Sequence, residues 1–346
     1  MPIIENATDF TARDFLSMDK EGADTLVICV CGTFRLPPPG KPSQEALHLA
    51  EAQPEPTPED VYWDEPGTSS VRYEGQSAYY RPGTDIYVNG QAWAPRGRPV
   101  KELLVTVRVG ACQKGVQVFG DRVWWRGITG WRPSSPEPFT SMPLRYERSF
   151  GGPSSREGAE HPREYEDRNP IGRGFHPEGR GAENQPLPNL EDPLHRLTSP
   201  TERVPPAGLG AISRAWQPRL AYGGTYNAQW VEQRAPLWPR DFDERFFQAA
   251  SPGLVATPWL EGGEPVVLSG FSPAGTFSFH LPRPRLVASA KFRNRLERRR
   301  MRLDAVLLEP DERLLRMYWR AAFPAERELA HHEQTFVREL EPWEEG

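Results

Sequence analysis

The stretch Thr25-Leu-Val-Ile-Cys-Val-Cys-Gly-Thr-Phe-Arg-Leu36, stopped by Pro37-Pro-Pro-Gly40, decides how this chain is read. It is an apolar, β-branched run that fits a buried strand, and the prolines end it where the strand meets the surface. Cys29 and Cys31 lie two apart, so a strand carries them as neighbours on one face, a poor geometry for a disulfide. They read as core thiols. Cys112, the third cysteine, does not complete a set of metal ligands with them, and no metal site is expected.

Outward from this strand the same pattern repeats. Asp85-Ile-Tyr-Val-Asn-Gly90 follows Pro82-Gly83 and continues through Ala92 and Trp93. Glu102-Leu-Leu-Val-Thr-Val-Arg108 and Gly115-Val-Gln-Val-Phe119 flank a short loop with Gly110 at hairpin spacing, and Gly120-Asp121 turns into Arg122-Val-Trp-Trp125. Residues 1–130 therefore read as an N-terminal, mainly antiparallel β block, with residues 41–60 as an exposed proline-bearing loop.

Residues 131–225 have almost no periodicity. They carry Gly- and Pro-rich runs whose Tyr, Phe and Leu residues supply apolar anchors, so the segment is expected to be ordered without regular structure, with a mobile tip between Gly151 and Gly181. Two short, half-buried helices are expected within 226–250. Asn227 caps the first, over Ala228 to Arg234; Asp241 caps the second, which puts Phe242, Phe246 and Ala250 on one face.

A C-terminal β block occupies residues 260–340. Pro265–Ser269 and Thr276–Leu281 flank the turn Ser272-Pro-Ala-Gly275, Leu286 to Phe292 alternates, and residues 301–320 read as a hairpin with one wet face. The tail Glu339–Gly346 is expected to fray. The whole reads as one domain, mainly β, with antiparallel sheets in a sandwich or open-barrel-like arrangement.

Composition narrows the function. With 346 residues and 37% hydrophobic content the chain has enough material for a core without staples. Pro and Gly together make up about a fifth of it, below the share that marks low-complexity disorder. A net charge of −5 gives no field that would draw nucleic acid or anionic membrane to the surface as a whole. The start has neither a basic n-region nor an apolar core, and no membrane-length apolar run occurs, so a cytoplasmic protein is expected.

Chemical motifs are sparse. There is no Gly-x-Ser-x-Gly elbow, phosphate-cradling loop or dinucleotide fingerprint. The carboxylates Glu164, Glu166, Asp167, Glu191 and Asp192 lie in an Arg-rich region and read as ion-paired or capping groups. His161, His176 and His195 lack ligand spacing, and His331-His332-Glu333 reads as a solvated terminal segment. Arg293-Asn-Arg-Leu-Glu-Arg-Arg-Arg-Met-Arg302 packs six arginines together. It reads as a solvated hairpin connection and a candidate protein-binding edge.

Several runs resemble, in order and spacing, the bacterial type VI secretion adaptor family encoded beside VgrG spike proteins, PAAR-tipped effectors and pentapeptide-repeat proteins. They are Gly32–Arg35, Glu65–Glu74, Pro82–Gly90, Val118–Trp124, Met142–Gly152, Asn169–Phe175, Gln185–Asp192 and Trp216–Arg219. The resemblance implies a non-catalytic chaperone without a cofactor. Its partners would be a secreted effector, PAAR-tipped or Rhs-type, and the VgrG spike. The family offers no active site to carry over. From their chemistry alone, Tyr146, Arg148, Phe150, Asn169, Arg173, Phe175 and Trp216 are the expected protein-binding residues, combining aromatic anchors with forked donors. The rival reading is a β-rich carbohydrate- or peptidoglycan-active hydrolase working through two loop carboxylates.

Overall fold

A computed structural model describes residues 3–128, 130–154, 164–179, 181–325 and 329–344. Three sheets dominate. The largest has six strands, ordered Val255–Ala256, Thr84–Val88, Arg302–Glu309, Leu314–Pro324, Asp24–Arg35 and Thr11–Met18. Asp24–Arg35 is the strand that the opening stretch foretells. It pairs from Thr25 to Arg35 with Leu314–Pro324, and from Thr25 to Phe34 every residue is buried. That is why its sequence shows no polar alternation.

The second sheet has five antiparallel strands, ordered Leu190–Glu191, Cys112–Phe119, Glu102–Val109, Pro265–Ser269 and Phe277–His280. Its central hairpin turns at Gly110-Ala111, where Gly110 takes the positive φ of +56° that a tight turn demands. In the third sheet, Ile3–Asn6, His332–Glu339, Leu286–Phe292 and Arg295–Arg300 follow in order. None of the sheets closes into a barrel among the described residues. One contiguous core joins all three, running through Leu26, Ile28, Val105, Val266, Phe279, Leu286 and Phe323.

The two β blocks interleave. Thr84–Val88 runs parallel to Arg302–Glu309, and Ile3–Asn6 runs parallel to His332–Glu339, so neither end of the chain folds as a separate antiparallel layer. The hairpin Arg302–Pro324 has no wet face. Asp304 and Arg320 are buried against each other, and Val306 is fully enclosed. His332–Glu339 is likewise no solvated tail, because it is an inner strand between Ile3–Asn6 and Leu286–Phe292. The described tail is also held, since Glu344 accepts hydrogen bonds from Nη1 and Nη2 of Arg338 at 2.7 and 2.8 Å, and from Arg298.

Asn227 caps the helix Ala228–Gln233 by accepting from the Trp230 amide at 2.9 Å, although no residue of that helix is buried. The second expected helix is a 3₁₀ turn, Glu244–Phe247, capped by Asp243. Asp241 instead accepts from the Thr225 amide and hydroxyl. A short α-helical turn, Arg219–Tyr222, has no sequence periodicity to announce it.

Candidate functional site

The described loops of the central region pack on small apolar clusters. Trp124, Phe150, Phe175, Leu187 and Leu197 form one; Tyr146, Ile212 and Trp216 form another, with the Tyr146 and Trp216 rings edge to face at 5.6 Å. Asn169 staples the loops between them, its Nδ2 donating to the carbonyls of Tyr146 and Phe150 at 2.8 and 3.0 Å. The backbone comes so close that a Cβ on Gly151, at φ +149°, would meet the Asn169 carbonyl oxygen at 2.1 Å. Only glycine fits there.

Five of the seven residues expected to bind protein are thus inside. Tyr146, Phe150, Asn169, Phe175 and Trp216 are buried and hold the loops in place. Arg148 and Arg173 are half-buried. Arg148 donates to the Asn189 side chain at 3.1 Å, and Arg173 to the Glu147 carbonyl at 3.1 Å. Burial, and then the neighbouring Arg148, lower the Arg173 pKa.

Glu166, Glu191 and Asp192 are tied to neighbouring groups. Glu166 accepts from Arg168 Nε at 2.6 Å and lies 3.0 Å from Arg203 Nη2. Burial would raise its pKa, but these two arginines take it below the usual range. Glu191 is held between Arg122 Nη2 at 2.5 Å and Arg196 Nε at 3.1 Å. Asp192 caps a turn at the Leu194 amide, with His195 Nδ1 3.5 Å away. Glu164 and Asp167 are exposed, and Asp167 lies 3.9 Å from Arg203. His176 is buried, and burial lowers its pKa. His161 lies outside the described residues. Among the described residues no three His, Cys, Asp or Glu side chains gather as metal ligands.

A cleft of about 720 Å³ opens elsewhere, where the six-stranded sheet meets the end of the arginine tract. Trp259 forms one wall. Its Nε1 donates to the Arg81 carbonyl at 3.1 Å, Tyr80 meets it edge to face at 6.0 Å, and the Arg302 guanidinium lies 4.0 Å from its ring centroid. The floor is the buried Asp304–Arg320 pair, and Arg320 also donates to the carbonyls of Gln76 and Ala78. Arg285, Arg299, Arg300 and Arg302 line the rim, where Glu261 lies 3.7 Å from Arg285 and 3.6 Å from Arg300. Arginine is therefore in excess at this rim, on a chain whose overall charge is −5.

Behind the floor runs a buried ionic network. Arg81, itself lining the cleft, lies 3.3 Å from Glu74 and 3.6 Å from Asp85. The Tyr87 hydroxyl is 2.8 Å from Glu74 and 2.5 Å from Asp85, so one phenolic proton lies between two carboxylates. Burial pushes Asp85 up to about 6 against the pull of Arg81, and its Oδ1 has no hydrogen-bond partner among the described residues. Burial acts on Glu74 too, but Arg219, Arg81 and Arg214 outweigh it and lower its pKa.

The cleft was only half legible. The arginine tract marked one side as a candidate protein-binding edge, although Arg295–Arg300 is a strand and not a connection. Trp259 and Arg285 come from loops that carry no motif, and the topology alone places them opposite the tract.

No curated protein and no solved structure matches the chain. Residues 21–320 match the profile of DUF2169, a family described as uncharacterized proteins conserved in bacteria, and because that span takes in most of the chain, the protein belongs to this family.

Proposed function

We propose that this protein is a non-catalytic adaptor that binds another polypeptide, namely a type VI secretion effector that it helps load onto the VgrG spike. The observation that carries the reading is the cleft, where fixed aromatic walls from Trp259 and Tyr80 meet a rim of arginines. Arginine and large aromatic side chains are the residue types that dominate the energetics of protein interfaces. The resemblance of the runs between Gly32 and Arg219 to the secretion adaptors supplies the cellular setting. In that setting the adaptor stays in the producing cell.

The ties of the central carboxylates support the same reading over a hydrolase. Glu166 and Glu191 are each held between two arginines, and in the cleft Asp304 is bound to Arg320. A general acid needs its proton free to move, which such pairing opposes.

The test is co-purification with the effector encoded beside the gene, followed by deletion of the gene. Loss of effector stability, or of its association with VgrG, is the expected outcome. Unchanged effector secretion without this protein would count against the proposal.

A further inference from the structure

Arg295–Arg300 is the outermost strand of its sheet. It pairs on one side with Leu286–Phe292 in unbroken register from Arg295 opposite Phe292 to Arg300 opposite Val287. The two-residue loop Arg293-Asn294 makes Phe292 and Arg295 a hydrogen-bonded pair, and antiparallel alternation then turns the backbone groups of Leu296, Arg298 and Arg300 outward. No described strand pairs with that side. Leu296 is 72% exposed, so the edge carries an apolar side chain in the open among its arginines.

The arginine row already accepts carboxylates from its own chain. Glu344 reaches over the sheet to bond both Arg298 and Arg338, and Glu261 lies between Arg285 and Arg300. Arg299 stacks over Phe323 with its centre 5.6 Å from the ring, and at its end the strand leads into the cleft beside Trp259. Edge arginine is also a means of preventing strand addition, but there it acts by repelling like charge. A partner strand of opposite charge turns the same row into a guide.

We infer that this edge is a strand-addition site for an extended acidic segment of a partner polypeptide. Backbone hydrogen bonds to Leu296, Arg298 and Arg300 hold the segment, the arginines read its carboxylates, and its end enters the cleft against Trp259. This inference rests on the adaptor reading and specifies the chemistry of the partner.

The probe is a fluorescent peptide of about eight residues, the length of an ordinary strand, alternating Glu and Val and ending in Trp. We expect salt-sensitive binding to the full chain. The affinity should fall at least about tenfold for Arg298→Glu/Arg300→Glu, through loss of charge pairing. A fall of similar size, about tenfold, is expected for a peptide N-methylated at alternate residues and for Leu296→Pro, which keeps every charge but removes an edge donor. Melting curves matching the wild type establish that both variants are folded. Equal binding of the methylated peptide, unchanged binding by the two variants, or tighter binding of an oligodeoxythymidine probe overturns the inference. If the wild type and Arg298→Glu/Arg300→Glu capture the neighbouring effector equally, the edge is excluded while the adaptor reading stands. If the wild type captures no effector, the adaptor reading fails and the peptide result still decides the edge.

Discussion

Arg219 Nη2 donates to Glu74 Oε1 at 2.6 Å, joining two buried residues 145 positions apart in the chain. The other nitrogens of Arg219 bond the carbonyls of Ile212 and Phe246, so a single guanidinium ties the helical turn Arg219–Tyr222 to three separate segments. Glu74 has Arg81 on its second oxygen. Replacing Glu74 with Gln leaves two buried arginines short of charge, and removing one partner of a buried pair costs about 3–5 kcal/mol. Urea unfolding of Glu74→Gln should show a loss of that size at an unchanged slope. A loss below about 1 kcal/mol, the scale of an exposed pair, would mean that solvent screens this network.

Asp85 gives the network a pH dependence of known sign. Its folded pKa of about 6 lies above that of a free aspartate, so the native state holds a proton that the unfolded chain has released. A protonated Asp85 can donate to the Tyr87 oxygen while Tyr87 donates to Glu74, which gives every proton an acceptor. The stabilisation from Asp85 is complete below about pH 4, the range of free aspartate, and is lost as pH rises to about 6. Glu74 acts in the opposite sense, its contribution being lost as pH falls through its lowered pKa. Relative to Asp85→Asn, the wild type should lose up to about 1.4 kcal/mol per pH unit across that window and nothing further above it. A flat difference would show that Arg81 keeps Asp85 ionised in the fold.

The cysteines offer a chemical check on the core. Burial pushes Cys29 up to about 12 and Cys31 up to about 11, and partial burial also raises Cys112. Thiolates are the reactive species, so a disulfide reagent at neutral pH should find Cys112 alone in the native protein and all three thiols after denaturation. Rapid reaction of Cys29 or Cys31 would mean that the strand Asp24–Arg35 opens on the timescale of the assay.

What could be read from the sequence follows from how far each signal reaches along the chain. Thr25–Leu36 declares a strand because both of its faces are apolar, and the 102–119 hairpin declares itself by alternation about a glycine. The parallel pairing of Thr84–Val88 with Arg302–Glu309 joins residues over 200 positions apart, and nothing local encodes it. The wet face expected of the 301–320 hairpin failed for a related reason, shown by Asp304 and Arg320. Each looks like a solvent-facing residue alone, and only the fold supplies the opposite charge that lets both be buried. The same gap hid the cleft: its arginine strand was visible as composition, whereas Trp259 gained its meaning from the guanidinium of Arg302 stacked on its ring.

Asn169 separates a scaffold role from a contact role in the central loops. Its side chain is buried and bonds two carbonyls, those of Phe150 and of Tyr146, the latter also accepting from the Ser149 amide at 3.0 Å. Truncation to Ala strands the Phe150 acceptor at about 1–3 kcal/mol, so Asn169→Ala should lower the melting temperature by a few degrees. Gly151→Ala should be at least as damaging, because its Cβ would drive into the Asn169 carbonyl and neither backbone segment has room to yield. Arg148→Ala and Arg173→Ala remove half-buried side chains with fewer buried ties, and their melting temperatures should stay nearer to that of the wild type. Effector capture should follow the fraction of folded protein for Asn169→Ala and Gly151→Ala. If Asn169→Ala melts like the wild type yet loses effector, then Asn169 meets the partner directly and the loops rearrange on binding to expose it.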